Sequence, residues 1–264
     1  MSTDSSKLIY YYQTFSSLAP LAPLDNVVVY VCSLHFGQDP DTQAPYIHLN
    51  NHPPDTFTDL WPDLEVASQS GIRIMTMLGG AGTAYGVLFS DFATYYKLLH
   101  TFLQNYPVIR GIDLDVEETV SLTDIKRLIQ RLHDDFGESF TITMAPLAGS
   151  LIRDSPGMGG FSYKHLIESP EGKSISWFNV QCYGCYTEDT YMKMVENGYR
   201  PDQLVMTMLG DEFTKQTLGK AVTEIKGVTL SYPTMAGCCL WEYGDTTVPP
   251  ILWGKELEAI LCER

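Results

Sequence analysis

Eight apolar, strand-like runs recur along this chain at fairly regular intervals, and helical patterns fill many of the gaps between them. The runs are LIYYY (8–12), VVVYVCSL (27–34), IRIMTML (72–78), GIDLDVE (111–117), FTITMAP (140–146), ISWFNVQCY (175–183), QLVMTML (203–209) and AGCCLWEY (236–243). Several are near-continuous stretches rich in Val, Ile and Met, the pattern of parallel strands covered on both faces. In 90–106, Phe92, Tyr95, Tyr96, Leu99, Phe102, Leu103 and Tyr106 share one helical face, and Pro107 ends it. In 121–136 the apolar face is Ile125, Leu128, Ile129, Leu132 and Phe136, with Ser121 as N-cap and Gly137 as the stop. Further helical stretches fall at 59–70, 162–168, 188–197, 216–226 and 254–262, while the first crossover, 13–26, is too Pro-rich for a full helix. Strands alternating with helices in this number predict a (β/α)8 TIM barrel, and residues 1–264 suit a single domain of that kind. The rival, a doubly wound open sheet, lacks the Gly-x-Gly-x-x-Gly turn after its first strand.

The formal net charge of −15 argues against nucleic acid and anionic membrane as partners, and no apolar run reaches the length of a membrane span. The opening MSTDSSKLIYYY lacks the basic-then-apolar layout of a secretory signal. Six cysteines lie mostly in apolar runs, as buried thiols do, and no Asn-x-Ser/Thr sequon occurs. A cytoplasmic address is expected, the alternative being a secreted protein whose signal peptide is absent from this chain. A monomer is expected.

The run GIDLDVE sets Ile112, Leu114 and Val116 on one parity and Asp113, Asp115 and Glu117 on the other. In a barrel the aliphatic set faces the helices, so the acids point inward. Glu117 comes last and reaches the mouth at the C-terminal strand ends, where sites of this fold lie. Buried carboxylates need partners or protons. Pairing with inward cations would make them structural, but the strand runs offer little beyond Arg73. Three acids on one straight strand do not converge as octahedral Mg²⁺ requires, so no metal and no cofactor are expected. Acid–base chemistry remains: crowded carboxylates in a poorly solvated interior cannot all ionise, and a protonated Glu at the mouth is the general acid that glycoside hydrolysis uses. Because Asp115 and Glu117 project from one side, they cannot flank a sugar. A nucleophile supplied by the substrate, such as a 2-acetamido oxygen, resolves that geometry.

GIDLDVE resembles the Asp-x-Asp-x-Glu core of glycoside hydrolase family 18, which contains chitinases and endo-β-N-acetylglucosaminidases. The resemblance covers nearly the whole chain and is strongest to small single-domain fungal endo-β-N-acetylglucosaminidases. It includes KLIYYYQT (7–14), HLNNHPPD (48–55), IMTMLGGAG (74–82), GFSYKHL (160–166), SWFNVQCYG (176–184) and CLWEY (239–243). The resemblance implies that Glu117 donates the proton, that Asp115 holds the acetamido N–H, and that Asp113 lies beneath, hydrogen-bonded to Asp115. It implies Tyr183 on the acetamido oxygen, Gln181 on the same face, and Trp241 as the floor under the sugar ring. Met144 and Ala145 are expected in the wall. Chitinases usually carry Asp where this chain has Arg110 and an aromatic where it has Val116, which favours the endo-β-N-acetylglucosaminidase reading.

Gly79 and Gly80 match the family's strand-end pair, although glycine pairs also simply mark turns. Of Tyr10, Tyr11 and Tyr12, an inward one, taken as Tyr11, lines the site. The CxxC of Cys182 and Cys185 lacks the partner pair a zinc or redox role needs. Trp177 reads as core. The expected substrate is an N-glycan or free oligosaccharide, cut at its core GlcNAc-β-1,4-GlcNAc bond with retention through an oxazoline. A chitinase and a catalytically silent sugar-binding relative are the alternatives.

Overall fold

The computed structural model describes residues 6–262. Its strands are β1 (Lys7–Tyr12), β2 (Val27–Gln38), β3 (Pro45–Leu49), β4 (Arg73–Gly79), β5 (Gly111–Asp115), β6 (Thr141–Met144), β7 (Ile175–Gln181), β8 (Leu204–Leu209) and β9 (Gly237–Trp241). The helices are α1 (Leu60–Gln69), α2 (Tyr85–Ser90), α3 (Phe92–Asn105), α4 (Leu122–Phe136), α5 (Ala148–Arg153), α6 (Tyr163–Ile167), α7 (Glu188–Glu196), α8 (Lys215–Ser231) and α9 (Pro250–Cys262). All strands but β3 pair in parallel, and β1 pairs with both β2 and β9, which closes the ring into a (β/α)8 barrel. The eight strand runs expected from sequence are the eight barrel strands.

Alternation on each strand divides the apolar residues into two layers. Ile112, Leu114 and Val116 join the large layer between barrel and helices. Ile9, Tyr11, Val28, Tyr30, Met75, Met77, Trp177, Val205 and Cys239 fill the barrel itself. Trp177 is therefore core, 3% exposed. Cys32, Cys182, Cys238 and Cys239 are buried; the side chain of Cys262 lies outside the description, as do residues 1–5.

Helix α4 begins and ends where capping chemistry requires: Ser121 Oγ accepts from the Asp124 N–H at 3.0 Å, and Gly137 stops it at φ 74°. The Pro-rich first crossover holds only a short 3₁₀ turn, Ala19–Leu21. Three local features depart from expectation. Strand β2 runs on to Gln38 and folds back through β3 as an antiparallel hairpin standing above the barrel rim. The short helices α2 and α5 follow β4 and β6. Most consequential, the ladder of β5 ends at Asp115, so Glu117 lies just beyond regular structure.

Candidate active site

Asp113 is fully buried inside the barrel and accepts three hydrogen bonds. Tyr11 on β1 donates to Oδ2 at 2.7 Å; Thr143 on β6 and Asn179 on β7 donate to Oδ1 at 2.5 and 3.0 Å. Each donor is itself oriented. Thr143 has one hydroxyl proton and gives it to Asp113, so the 2.9 Å contact with the Tyr30 hydroxyl must run from Tyr30 to Thr143. The Trp177 indole N–H fixes the Asn179 amide by donating to its oxygen at 3.0 Å. Burial pushes the Asp113 carboxyl up to about 6, and the three donors hold it from going higher.

The bond expected between Asp113 and Asp115 is replaced by this arrangement: with Asp113 saturated by donors from three other strands, Asp115 turns to Gln181, whose amide N–H donates to it at 3.2 Å. Asp115 is 5% exposed, and burial, then Glu117 and Asp113, raise its pKa well above the carboxylate range. Glu117 is half-buried; burial raises its pKa and the Gln181 bond partly offsets the rise. The Gln181 amide lies 3.5 Å from Glu117 Oε1 and donates to the Ala145 carbonyl at 3.0 Å, so two amide protons serve three acceptors. No ion pair among the described residues involves the three acids, and Arg73 instead donates to Thr141 near the foot of the barrel. Burial thus favours the protonated forms of Asp115 and Glu117, while Asp113, with its three donors, is the best-supported acceptor of the three.

Gly79 and Gly80 are required by the acids' backbone. Both have positive φ, 94° and 80°, and a side chain on Gly79 would collide with the Asp115 carbonyl. The Gly80 N–H donates to that carbonyl at 3.0 Å. Tyr183 follows β7, half-buried; burial chiefly, and Asp115 and Glu117 in part, raise its phenol, which stays a proton donor. Trp241 ends β9, half-buried, its ring centroid 5.0 Å from that of Tyr11.

Met144, expected in the wall, and Tyr11, expected to line the site, both lie away from the mouth. Met144 is fully buried in the layer facing the helices, because it has the opposite parity to inward Thr143. Tyr11 is 2% exposed and sits below Trp241, where it serves Asp113 and does not reach the mouth. Ala145 is inward and also buried, meeting the site through its carbonyl. Thr143, Asn179 and Tyr30 were not singled out from sequence; their signal is a polar atom on the inward parity of an otherwise apolar strand.

Two cavities flank the acids. One, of about 350 Å³, runs beside Trp241 under the β2–β3 hairpin and is lined by Gln13, His35, His48, Asn50 and Thr83 among others. The other, of about 530 Å³, lies beside Gln181 and Tyr183 and is walled by Leu147, Arg153 and Met158. Neither is lined by an Asp or Glu. Arg110 is exposed at the N-terminal end of β5, opposite the mouth, and Val116 is buried on the helix side. These two departures from the chitinase pattern therefore do not touch the mouth. Among the described residues no group of His, Cys, Asp and Glu is arranged to hold a metal ion, and no helix is long and apolar enough to cross a membrane.

No protein-family model and no curated protein matches the sequence. Solved structures do. A fungal endo-β-N-acetylglucosaminidase from glycosyl hydrolase family 18 is 29% identical with a TM-score of 0.84, covering 96% of this chain and 97% of its own. The chitinase ChiC from Aspergillus fumigatus is 30% identical with a TM-score of 0.81, covering 96% of this chain and 99% of its own. A family 18 chitinase from Pseudoalteromonas aurantia, 19% identical with a TM-score of 0.72 over 97% of this chain and 100% of its own, shares the fold.

Proposed function

Because the chain belongs to glycoside hydrolase family 18, we propose that it is an endo-β-N-acetylglucosaminidase that cuts the bond between the two core N-acetylglucosamines of an N-glycan. The observation that carries the reaction class is the one-sided acid series: Asp115 and Glu117 project together, and no carboxylate lines the cavities on either side of them. Glu117 gives its proton to the departing oxygen. With Asp115 and Glu117 projecting from one side, the substrate's acetamido oxygen attacks the anomeric carbon, Asp115 holds the acetamido N–H, and water opens the resulting oxazoline with retention. Tyr183 donates to the acetamido oxygen and Trp241 faces the apolar side of the ring.

The choice of N-glycan rests on the walls. A long chitin chain is held by successive aromatic platforms, whereas the lining here offers Trp241 and Tyr183 close to the acids, with Phe36 only 3% exposed. Amide, imidazole and hydroxyl groups dominate the cavity under the hairpin and suit a hydroxyl-rich glycan. Chitin cleavage is the second reading, favoured by the 30% identity to the Aspergillus chitinase. Incubation with a high-mannose glycoprotein and, separately, a chitin oligomer decides between them by mass spectrometry. Release of glycan leaving one N-acetylglucosamine on the protein is the expected result. Cleavage of the chitin oligomer alone selects the second reading, and binding without cleavage of either refutes both.

A further inference from the structure

We propose that Glu118 is a positioning residue, which fixes the turn carrying Glu117 by gathering three backbone N–H groups from the β4–α2 segment. The inference rests on Glu117 being the proton donor. The ladder of β5 ends at Asp115, so no strand partner holds residue 117. Its place is set by the bonds its neighbours make.

Those bonds are few and well directed. Glu118 Oε1 accepts from the Ala84 and Tyr85 N–H groups, the latter at 2.7 Å, and Oε2 accepts from Gly86 at 3.0 Å. These are leading N–H groups of α2, which have no partner within the helix. On the other side of the turn, the Val120 N–H donates to the Gly159 carbonyl at 3.0 Å, and Ser121 caps α4. Residues 118–121 are thus clamped directly after Glu117, and the Asp115 carbonyl, accepting from the Gly80 N–H at 3.0 Å, holds the chain before it. The same carboxylate ties down the segment whose start, Ala81–Thr83, walls the cavity under the hairpin. Charge-assisted bonds of this kind are short and directional, which suits them to holding a side chain's base in place.

The two oxygens divide the work unequally, and this makes the idea testable. Glu118→Gln keeps one acceptor for Ala84 and Tyr85 but presents an NH₂ to the Gly86 N–H. Glu118→Ala loses all three bonds. Both variants, wild type and Glu117→Gln are compared on whichever of the glycoprotein and the chitin oligomer the wild type cuts. The expected order of kcat is wild type, Glu118→Gln, Glu118→Ala, the last lower by about 10- to 100-fold with KM little changed, since a small misplacement of a reacting group costs that much. The basic limb of the pH–rate profile should also move to lower pH in Glu118→Ala, because a loosened turn admits water to Glu117, whose pKa burial holds up.

A purely structural role would lower the melting temperature while leaving the folded enzyme's kcat and basic limb unmoved, and that result overturns the proposal. If Glu118→Ala does not fold, Glu118→Gln is judged by the same two readouts. Loss of activity in Glu117→Gln with wild-type behaviour in the Glu118 variants overturns the positioning role alone. Near-normal turnover by Glu117→Gln overturns the donor assignment and this inference with it.

Discussion

Tyr11, on the first strand of the barrel, donates a 2.7 Å hydrogen bond across the interior to Asp113 on the fifth. The bond stabilises the ionised form of a carboxyl that burial has pushed up to about 6. Tyr11→Phe removes the donor and nothing else of size. The expected loss is about 1.5–3 kcal/mol of stability at neutral pH, measured by urea unfolding. Folded Asp113 keeps its proton to about pH 6, while its ordinary value is 3.8, so the folded state binds more protons between those values. Stability therefore falls as pH rises through that window, by about 3 kcal/mol from this group, and Asp115 acts in the same direction. In Tyr11→Phe the decline should extend to higher pH. An unchanged stability–pH curve would count against the network.

Glu117→Gln should lower kcat by about 10²–10⁴-fold while leaving the circular dichroism spectrum and melting temperature unchanged. In the wild type, activity should fall as pH rises through the raised pKa of Glu117, because the donor must hold its proton. Steady-state rates across pH check both statements.

Gln181→Met keeps the side chain's bulk and removes its N–H donors. The lost bond had lowered the pKa of Glu117 against the rise due to burial, so the basic limb should move upward, opposite to the shift expected for Glu118→Ala. Loss of the bond to Asp115 should cost about tenfold in kcat, the worth of one such hydrogen bond. A pH–rate profile of the variant reports both effects.

Gly79→Ala sets a methyl group against the Asp115 carbonyl at a residue with φ 94°. It should destabilise the protein by about 1–3 kcal/mol and lower activity. Gly184→Ala, at φ 68° with nothing within 4 Å of the added carbon, should cost less and leave kcat intact. Urea midpoints of the two variants test the contrast.

The barrel and its acids were legible because alternation and burial act locally: apolar residues at every second position declare a strand, and Asp113, Asp115 and Glu117 stand out on the opposite parity. Met144 shows the limit of reading a motif without its parity, since TMAP names the right strand end but places the side chain on the wrong face. Strand β3 escaped because Pro45–Leu49 is short and only partly buried, so it carries neither a long apolar run nor clean alternation. Short helices such as α2 lack the turns that make a periodic stripe visible. The partners of Asp113 and of Glu118 were hidden for another reason: they lie 30 to 102 residues away in sequence, where no local pattern reaches.

Asp113 draws its donors from β1, β6 and β7, so its surroundings are complete only when the ring of strands has closed. Until then β5 carries a carboxyl that must stay in water or take up a proton, which opposes early burial of that strand. The ring's final closure removes this penalty in one event. A fragment ending before β7 lacks Asn179, and one beginning after β1 lacks Tyr11, so neither half of the barrel should form the reactive interior alone. Folding and the assembly of the acids are, on this wiring, a single cooperative step.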